Sequence, residues 1–485
     1  MIFPLVIIAT LFVIFSLFFV ALEAKLRIIL ISVLRLTLVL SQIPFWLDQR
    51  GEILYANMGL ESLNWALGAL LAFMLFISLL ACWITQTNLN STLFLINVLA
   101  LIFIIILTFN CLHLLNFYII FEISLLPIFF IVLGWGYQPE RLGARVALLF
   151  YTLTASLPLL LTILWLLHSS YCSFLSLNSS ALSQWMRIHS VFLTFMLFTG
   201  FLVKLPIFSL HQWLPKAHVE APVVGSIILA AVLLKLGGFG IYRLLNTITL
   251  NADRVFFITS VTAVGGGLIA ILCLRQLDIK VLIAYSSVSH IAFTAIGYLR
   301  GTTFGALSAT LIIISHGICS SALFAGANTL YQRSHSRLIT LNKGTINFLP
   351  AFSFFWFIIC LGNIGAPPTV NCIREILGVI TCMTLRNSMA FPVTLLTFFA
   401  AGYTLVLYRT TQHGRPSGSS FSPLPLTNAD NWLYFSHFIW LGYLSLSVAI
   451  FFYPNIASYF LYRLDIEVSS KAFGSLPKKK SFFRP

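Results

Sequence analysis

Apolar stretches of eighteen residues or more follow one another along almost the whole chain, separated only by short polar connections. A helix needs about 20 apolar residues to cross a bilayer core, and in lipid every backbone N–H and C=O has to be bonded within a helix or a closed barrel. Fourteen such segments are predicted, over 2–22, 28–47, 63–84, 91–109, 111–134, 145–167, 190–212, 221–245, 254–274, 279–299, 303–330, 347–386, 390–409 and 434–460. The largest polar stretches between them, 48–62, 169–189 and 411–433, are too small to be domains. The fold class expected is therefore all-α, a polytopic membrane protein of about fourteen transmembrane helices in one membrane domain over 1–485. The first run lacks a basic leading region and a small-residue cleavage site, so it reads as a retained span and not as a signal peptide.

Composition closes off the other classes. Only 8% of the 485 residues are charged and 59% are hydrophobic, whereas a soluble domain carries about 25% charge. That excludes a soluble enzyme, a nucleic-acid binder and a secreted scaffold. The net charge of +15 does not change this, because its one dense cluster is the tail Lys478, Lys479, Lys480 and Arg484, which reads as a solvated, lipid-facing end. Lys and Arg also outnumber in the loops after odd-numbered segments once that tail is set aside, which would put those loops on the negative side of the membrane. The eight cysteines include no C-x-x-C pair and lie mostly inside apolar runs, so they read as small buried residues and not as metal, iron-sulfur or disulfide positions.

Two segments are abnormal. The seventh carries Lys204-Leu205-Pro206 and runs into His211-Gln212-Trp213-Leu214-Pro215, and the twelfth is overlong and interrupted by Gly362, Gly365, Pro367 and Pro368. Proline removes a donor and frees carbonyls that in lipid must find a partner, so a discontinuous helix marks a polar interior. Five segments separate the two breaks. That spacing fits two five-helix repeats, over 91–245 and 254–409, flanked by N-terminal helices over 1–90 and by a loop, last helix and basic tail over 410–485. Paired interrupted helices in corresponding positions point to a transporter's central site.

Most charged residues sit in connections, and the informative ones do not. Glu122 falls halfway along its segment, Lys235 near the middle of 221–245, Lys204 just before the first break and Glu375 a turn or two past the second. A charge at that depth costs about 2.5–3.5 kcal/mol on insertion scales, so such groups face the bundle interior and pair. For one Glu/Lys couple a structural ion pair explains as much as a proton site; four at one depth, two of them beside broken helices, favour an ion path. Lysine suits proton transfer where arginine does not, because a buried ammonium can release its proton.

His290 and His316 lie inside segments ten and eleven, where imidazoles could relay between Lys235 and Glu375, and segment ten adds the hydroxyls of Tyr285-Ser286-Ser287-Val288-Ser289. Either histidine alone would read as a satisfied packing residue. His211 and His218, around the first break, read as interfacial or loop-stabilising, structural more than functional, and Arg35, mid-segment, as snorkelling toward an interface. A membrane cytochrome would need paired axial histidines at matching depths, which His290 and His316 do not supply. A passive anchor would explain the apolar runs but not the four deep charges.

The residues themselves carry a resemblance. Phe121-Glu122-Ile123-Ser124-Leu125-Leu126-Pro127, Gly134-Trp135-Gly136-Tyr137-Gln138-Pro139-Glu140-Arg141-Leu142, Leu149-Phe150-Tyr151-Thr152-Leu153, Val203-Lys204-Leu205-Pro206, the run from Leu210 through His211, His218 and Glu220 to Pro222, Leu234-Lys235-Leu236-Gly237-Gly238, Ala284-Tyr285-Ser286-Ser287-Val288-Ser289-His290 and Ser334-His335-Ser336-Arg337 closely resemble the antiporter-like membrane-arm subunits of mitochondrial NADH:ubiquinone oxidoreductase, respiratory complex I. The resemblance covers about 110–410. It implies fourteen helices in two inverted repeats, in an H+-translocating complex of the inner mitochondrial membrane. By position it implies a gating ion pair in Glu122 and Lys204, a central proton carrier in Lys235, a connecting axis through His290 and His316, and an exit carboxylate in Glu375. No redox cofactor is implied in this chain: NADH, FMN, iron-sulfur clusters and ubiquinone would belong to other subunits. The implied partners are neighbouring antiporter-like subunits and lipid, with no nucleic acid. The runner-up is a subunit of a multi-subunit cation/proton antiporter, against which the Gly134 to Leu142 string argues.

One position departs from the resemblance. The family usually has a small residue before the exit carboxylate, and here the pair is Arg374-Glu375. Successive helical residues point about 100° apart, so Arg374 either holds the carboxylate more firmly ionised or turns toward an adjacent helix or subunit. The basic C-terminal extension is a second departure.

Overall fold

The computed structural model describes residues 52–55, 58–60, 62–85, 91–111, 113–136, 138–170, 191–247, 252–384, 386–415, 425–443 and 445. The first two predicted segments, Arg35 and the basic tail lie outside the described residues. From the third segment on, the apolar runs form helices: α1 (Ser62–Thr85), α2 (Ser91–Asn110), α3 (Leu114–Ile123), α4 (Leu125–Trp135), α5 (Arg141–Ser170), α6 (Val191–Lys204), α7 (Trp213–Glu220), α8 (Val223–Ile228), α9 (Leu234–Thr247), α10 (Ala252–Cys273), α11 (Ile279–Arg300), α12 (Thr303–Ser334), α13 (Pro350–Ile364), α14 (Val370–Met383) and α15 (Ala390–Gln412), with a further helix over 428–443. Among the described residues eight spans are long and apolar enough to cross a membrane, and three shorter apolar helices accompany them.

Several expectations are corrected in detail. The connection 48–62 contains a small antiparallel hairpin, β1 (Glu52–Tyr55) with β2 (Met58–Leu60), so the fold is helical with one short sheet. The two expected interruptions are present: the seventh segment is helical only to Lys204, and 347–386 divides into α13 and α14. The last helix begins at 428, six residues earlier than hydropathy suggests, where Asp430 accepts from the Thr427 amide and hydroxyl and so supports the first turn.

Two further irregularities have no counterpart in the predicted segments. The segment 111–134 is interrupted at Ser124, between α3 and α4. Pro127 explains it: its ring nitrogen cannot bond the carbonyl four residues back, and its ring crowds that turn. Between α8 and α9 the chain passes through a π-helical turn, Leu229–Leu233, with neither glycine nor proline in it.

Burial sorts the helices. The span from Val223 to Leu245 is buried except for half-buried Tyr242 and Leu245 near its end, and Ile279–Arg300 and Phe304–Ser334 are mostly buried, whereas Arg141–His168 and Asn387–Gln412 turn much of their surface outward. On α5 the exposed Leu142, Val146, Phe150, Leu153, Leu157, Leu161 and Leu164 recur every three or four residues, one apolar stripe of the kind that faces lipid. The centre of the bundle is thus α8, α9, α11 and α12, with α11 packed along both α10 and α12, and α12 along α14. Gly237 lets α9 approach α6 closely: a side-chain carbon there would stand 2.7 Å from the Phe201 carbonyl oxygen.

Candidate functional site

Each of the four deep charges predicted from sequence sits beside one of the four helix irregularities. Glu122 is in the last turn of α3, before the Ser124 interruption; Lys204 ends α6; Lys235 follows the π turn; Glu375 lies in the second turn of α14, after the break from Ile364 to Val370. The physical reason is shared. A disturbed helix frees carbonyls that lipid cannot satisfy, and a buried ammonium or amide is the donor that meets them. Lys204 Nζ donates to the Phe121 carbonyl at 2.8 Å, Lys235 Nζ donates to the Ala230 carbonyl within the π turn, and Asn371 Nδ2 donates to the Gly362 carbonyl at the end of α13.

At the first break the remaining groups are met locally. Trp213 Nε1, opening α7, donates to the Val203 carbonyl at 3.1 Å, which ties the two half-helices together. At the second, Gly365 adopts the left-handed conformation with φ 79°, and the amides of Gly365 and Ala366 turn back to the carbonyls of Gly362 and Leu361. That turn also makes room for Glu375: a side-chain carbon at Gly365 would lie 2.8 Å from its Oε2.

The sequence-predicted residues then fall into two groups. In the first, Lys204 Nζ stands 3.7 Å from Glu122 Oε1, and over the Phe121 ring at 3.0 Å from its centroid. In the second, Lys235 Nζ is 3.1 Å from His316 Nδ1, and the His316 and His290 rings have centroids 5.7 Å apart. His290 Nδ1 is 3.9 Å from Glu375 Oε1. Lys235, His316 and His290 are 1–2% exposed, so this row of groups runs through the innermost helices α9, α12 and α11 to α14.

Two residues beyond the six predicted ones join the second group. Tyr403 on α15 places its hydroxyl 3.1 Å from His290 Nε2 and 3.2 Å from Ser289 Oγ. A buried tyrosine in an apolar helix gives no sequence signal apart from its type. Arg374 is the other: of the two orientations open to it, it takes the inward one, with Nη2 3.4 Å from Glu375 Oε1 and 3.4 Å from His290 Nδ1. The Ser308 hydroxyl fixes the turn that carries it, donating to the Arg374 carbonyl at 3.0 Å.

His211 and His218 sit in packing contacts, in keeping with a structural role. His218 is fully buried and stacks on Phe324 at 4.6 Å and 7°, and His211 is buried beside Phe208 and Tyr285 in the first break. Among the described residues no group of histidine, cysteine or acidic side chains could hold a metal ion.

Comparison with known proteins fits this arrangement. A family model described as NADH:quinone oxidoreductase/Mrp antiporter, transmembrane, matches residues 111–402. The chain is 43% identical over 334 residues to the NADH-ubiquinone oxidoreductase chain 4 of Ceratitis capitata, covering 68% of this chain and 74% of that one. It is 45% identical over 299 residues to the protein of the same name from Aedes aegypti, covering 61% and 66%. Among solved structures it is similar to a chain of respiratory complex I from Thermus thermophilus with bound NADH, at TM-score 0.75 and 22% identity over 90% of this chain and 94% of that one; at that identity the likeness speaks for the fold.

Proposed function

Because the chain belongs to the NADH:quinone oxidoreductase/Mrp antiporter family of transmembrane subunits, we infer that its buried charges carry protons. The protein is a multi-pass membrane-arm subunit of respiratory complex I, in the inner mitochondrial membrane, beside other antiporter-like subunits. It translocates protons while NADH is oxidised and ubiquinone reduced by the complex. NADH, FMN, the iron-sulfur clusters and ubiquinone are assigned to other subunits, leaving this chain only proton chemistry. The names of its relatives favour this reading over a cation/proton antiporter subunit.

The carrying observation is the row Lys235, His316, His290 and Glu375 along the most buried helices. Protonated Lys235 donates to His316 Nδ1, and passing that proton on leaves a neutral amine and a proton to be released from Nε2. His290 receives it and Glu375 holds it at the far end. Closing or opening the Glu122–Lys204 pair changes the field at Lys235, which is how a neighbouring subunit would set the direction of transfer. Moving one charge against the membrane potential costs about 2.3 kcal/mol per 100 mV, a demand that shifts in such pairings can meet.

The test is Lys235→Met in the assembled complex. Pumping is expected to fail while the complex still migrates intact on a native gel; unchanged pumping would remove Lys235 from the path. Glu122→Gln is expected to slow turnover with assembly intact, and loss of assembly would make the pair a packing device instead.

A further inference from the structure

Arg374 has no part in the transfer described above, yet its guanidinium stands between the last two members of the second group, His290 and Glu375. A single nitrogen, Nη2, is 3.4 Å from His290 Nδ1 and 3.4 Å from Glu375 Oε1, and those two atoms are 3.9 Å from each other. The side chain is 1% exposed, and its Nε and Nη1 have no hydrogen-bond partner among the described residues. It is therefore held by two long contacts from one corner and not clamped along its fork, as a structural arginine pair would be.

The contacts also fix where the protons are. A guanidinium has five N–H groups and no lone pair, so the His290 nitrogen facing it must be the acceptor. The proton of His290 then sits on Nε2 and is donated to Tyr403 Oη at 3.1 Å; the tyrosine hydroxyl is left to donate to Ser289 Oγ at 3.2 Å, which donates in turn to the Ser286 carbonyl at 2.8 Å. Every donor in this chain is engaged, and His290 has no free lone pair with which to take a proton from His316.

Resting on the proton-path reading, we propose that Arg374 is a positioning residue that latches the far end of the path. Where it stands, it keeps His290 neutral and pairs with Glu375. Displaced from Nδ1, it opens that nitrogen to a proton and leaves protonated His290 facing Glu375 directly. Transfer to Glu375 then happens only when the latch moves, which keeps the end of the path shut between strokes. A small residue at this position, usual in the family the chain resembles, would leave that end without this control.

The experiment compares Arg374→Ala, Arg374→Lys and Arg374→Gln in the complex reconstituted into vesicles, reading NADH:ubiquinone turnover, protons pumped per electron, and passive proton leak without NADH. Arg374→Ala is expected to raise the leak about tenfold, the factor for losing a charge-assisted hydrogen bond, with turnover largely kept. Arg374→Lys, which restores a donor-only cation, is expected to bring the leak back. Arg374→Gln keeps most of the volume and should leak like alanine; it also stands in if the alanine variant does not assemble. Unchanged leak and pumping ratio in both neutral variants overturns the latch, as does a lysine variant that leaks as they do. Lys235→Met run alongside separates the two readings: if it pumps normally the path itself falls, and if it is blocked while the neutral variants are silent only the latch falls.

Discussion

Around Glu122 and Lys204 the buried charge is balanced within one pair, and the lysine is held further by the Phe121 carbonyl and ring. Around Lys235 it is not balanced: among the described residues no carboxylate lies within 4.0 Å of its ammonium, whose polar contacts are a π-turn carbonyl and a histidine. The difference teaches what each site is suited to. A closed pair can only open or shut, because either partner left alone in a low dielectric is costly. A cation that faces an imidazole and no carboxylate has an acceptor to which its proton can pass. The carboxylate that would balance Lys235 is Glu375, two imidazoles away and shared with Arg374.

Five variants, one of them double, break or sharpen that contrast. The largest effect on proton flux belongs to the unbalanced site: Lys235→Met should lower coupled flux by roughly 100-fold or more, the scale of losing an acid–base group, measured as acidification of vesicles. Next is the closed pair. Glu122→Gln leaves Lys204 buried without its carboxylate, a break worth about 3–5 kcal/mol that should lower the thermal midpoint of a complex that still assembles, and adding Lys204→Met should recover that midpoint without recovering flux. If that double variant pumped normally, the two sites would no longer differ in the sense argued here. Tyr403→Phe removes one hydrogen bond from His290, about 1 kcal/mol or roughly fivefold in transfer rate, expected as a lower kcat at unchanged KM for quinone. The smallest effect on flux, none, is expected for Arg243→Gln. Arg243 donates to the carbonyls of Phe109 and Cys111 at the end of α2, so its loss should lower the thermal midpoint of the complex, by about 1.5–3 kcal/mol of stability, and spare the pump.

The sequence made the two groups visible one residue at a time. Glu122, Lys204, Lys235 and Glu375 stand out because a charge inside an apolar run is costly enough to require a reason. The breaks after Lys204 and Ile364 are announced by Pro206 and by Gly365 and Pro367. Pro127 announces the interruption at Ser124 equally well, although hydropathy alone runs straight through it. The π turn before Lys235 has no such marker in Leu229-Ala230-Ala231-Val232-Leu233, because one inserted residue in a helix is settled by the packing around it.

What the sequence determined by itself is the solvent and the cast: lipid outside, helices within it, and six ionisable residues that lipid would not tolerate without partners. Those follow from hydropathy and transfer energy, which are sums over neighbouring residues. Which of the six would share a pair, that Tyr403 would close on His290 from 113 residues away, and that Arg374 would turn inward between His290 and Glu375 were decided only by the tertiary structure. The reason is geometric: hydrogen bonds are made or lost within a few tenths of an ångström, and only the packing of α9, α11, α12, α14 and α15 against one another sets distances that fine.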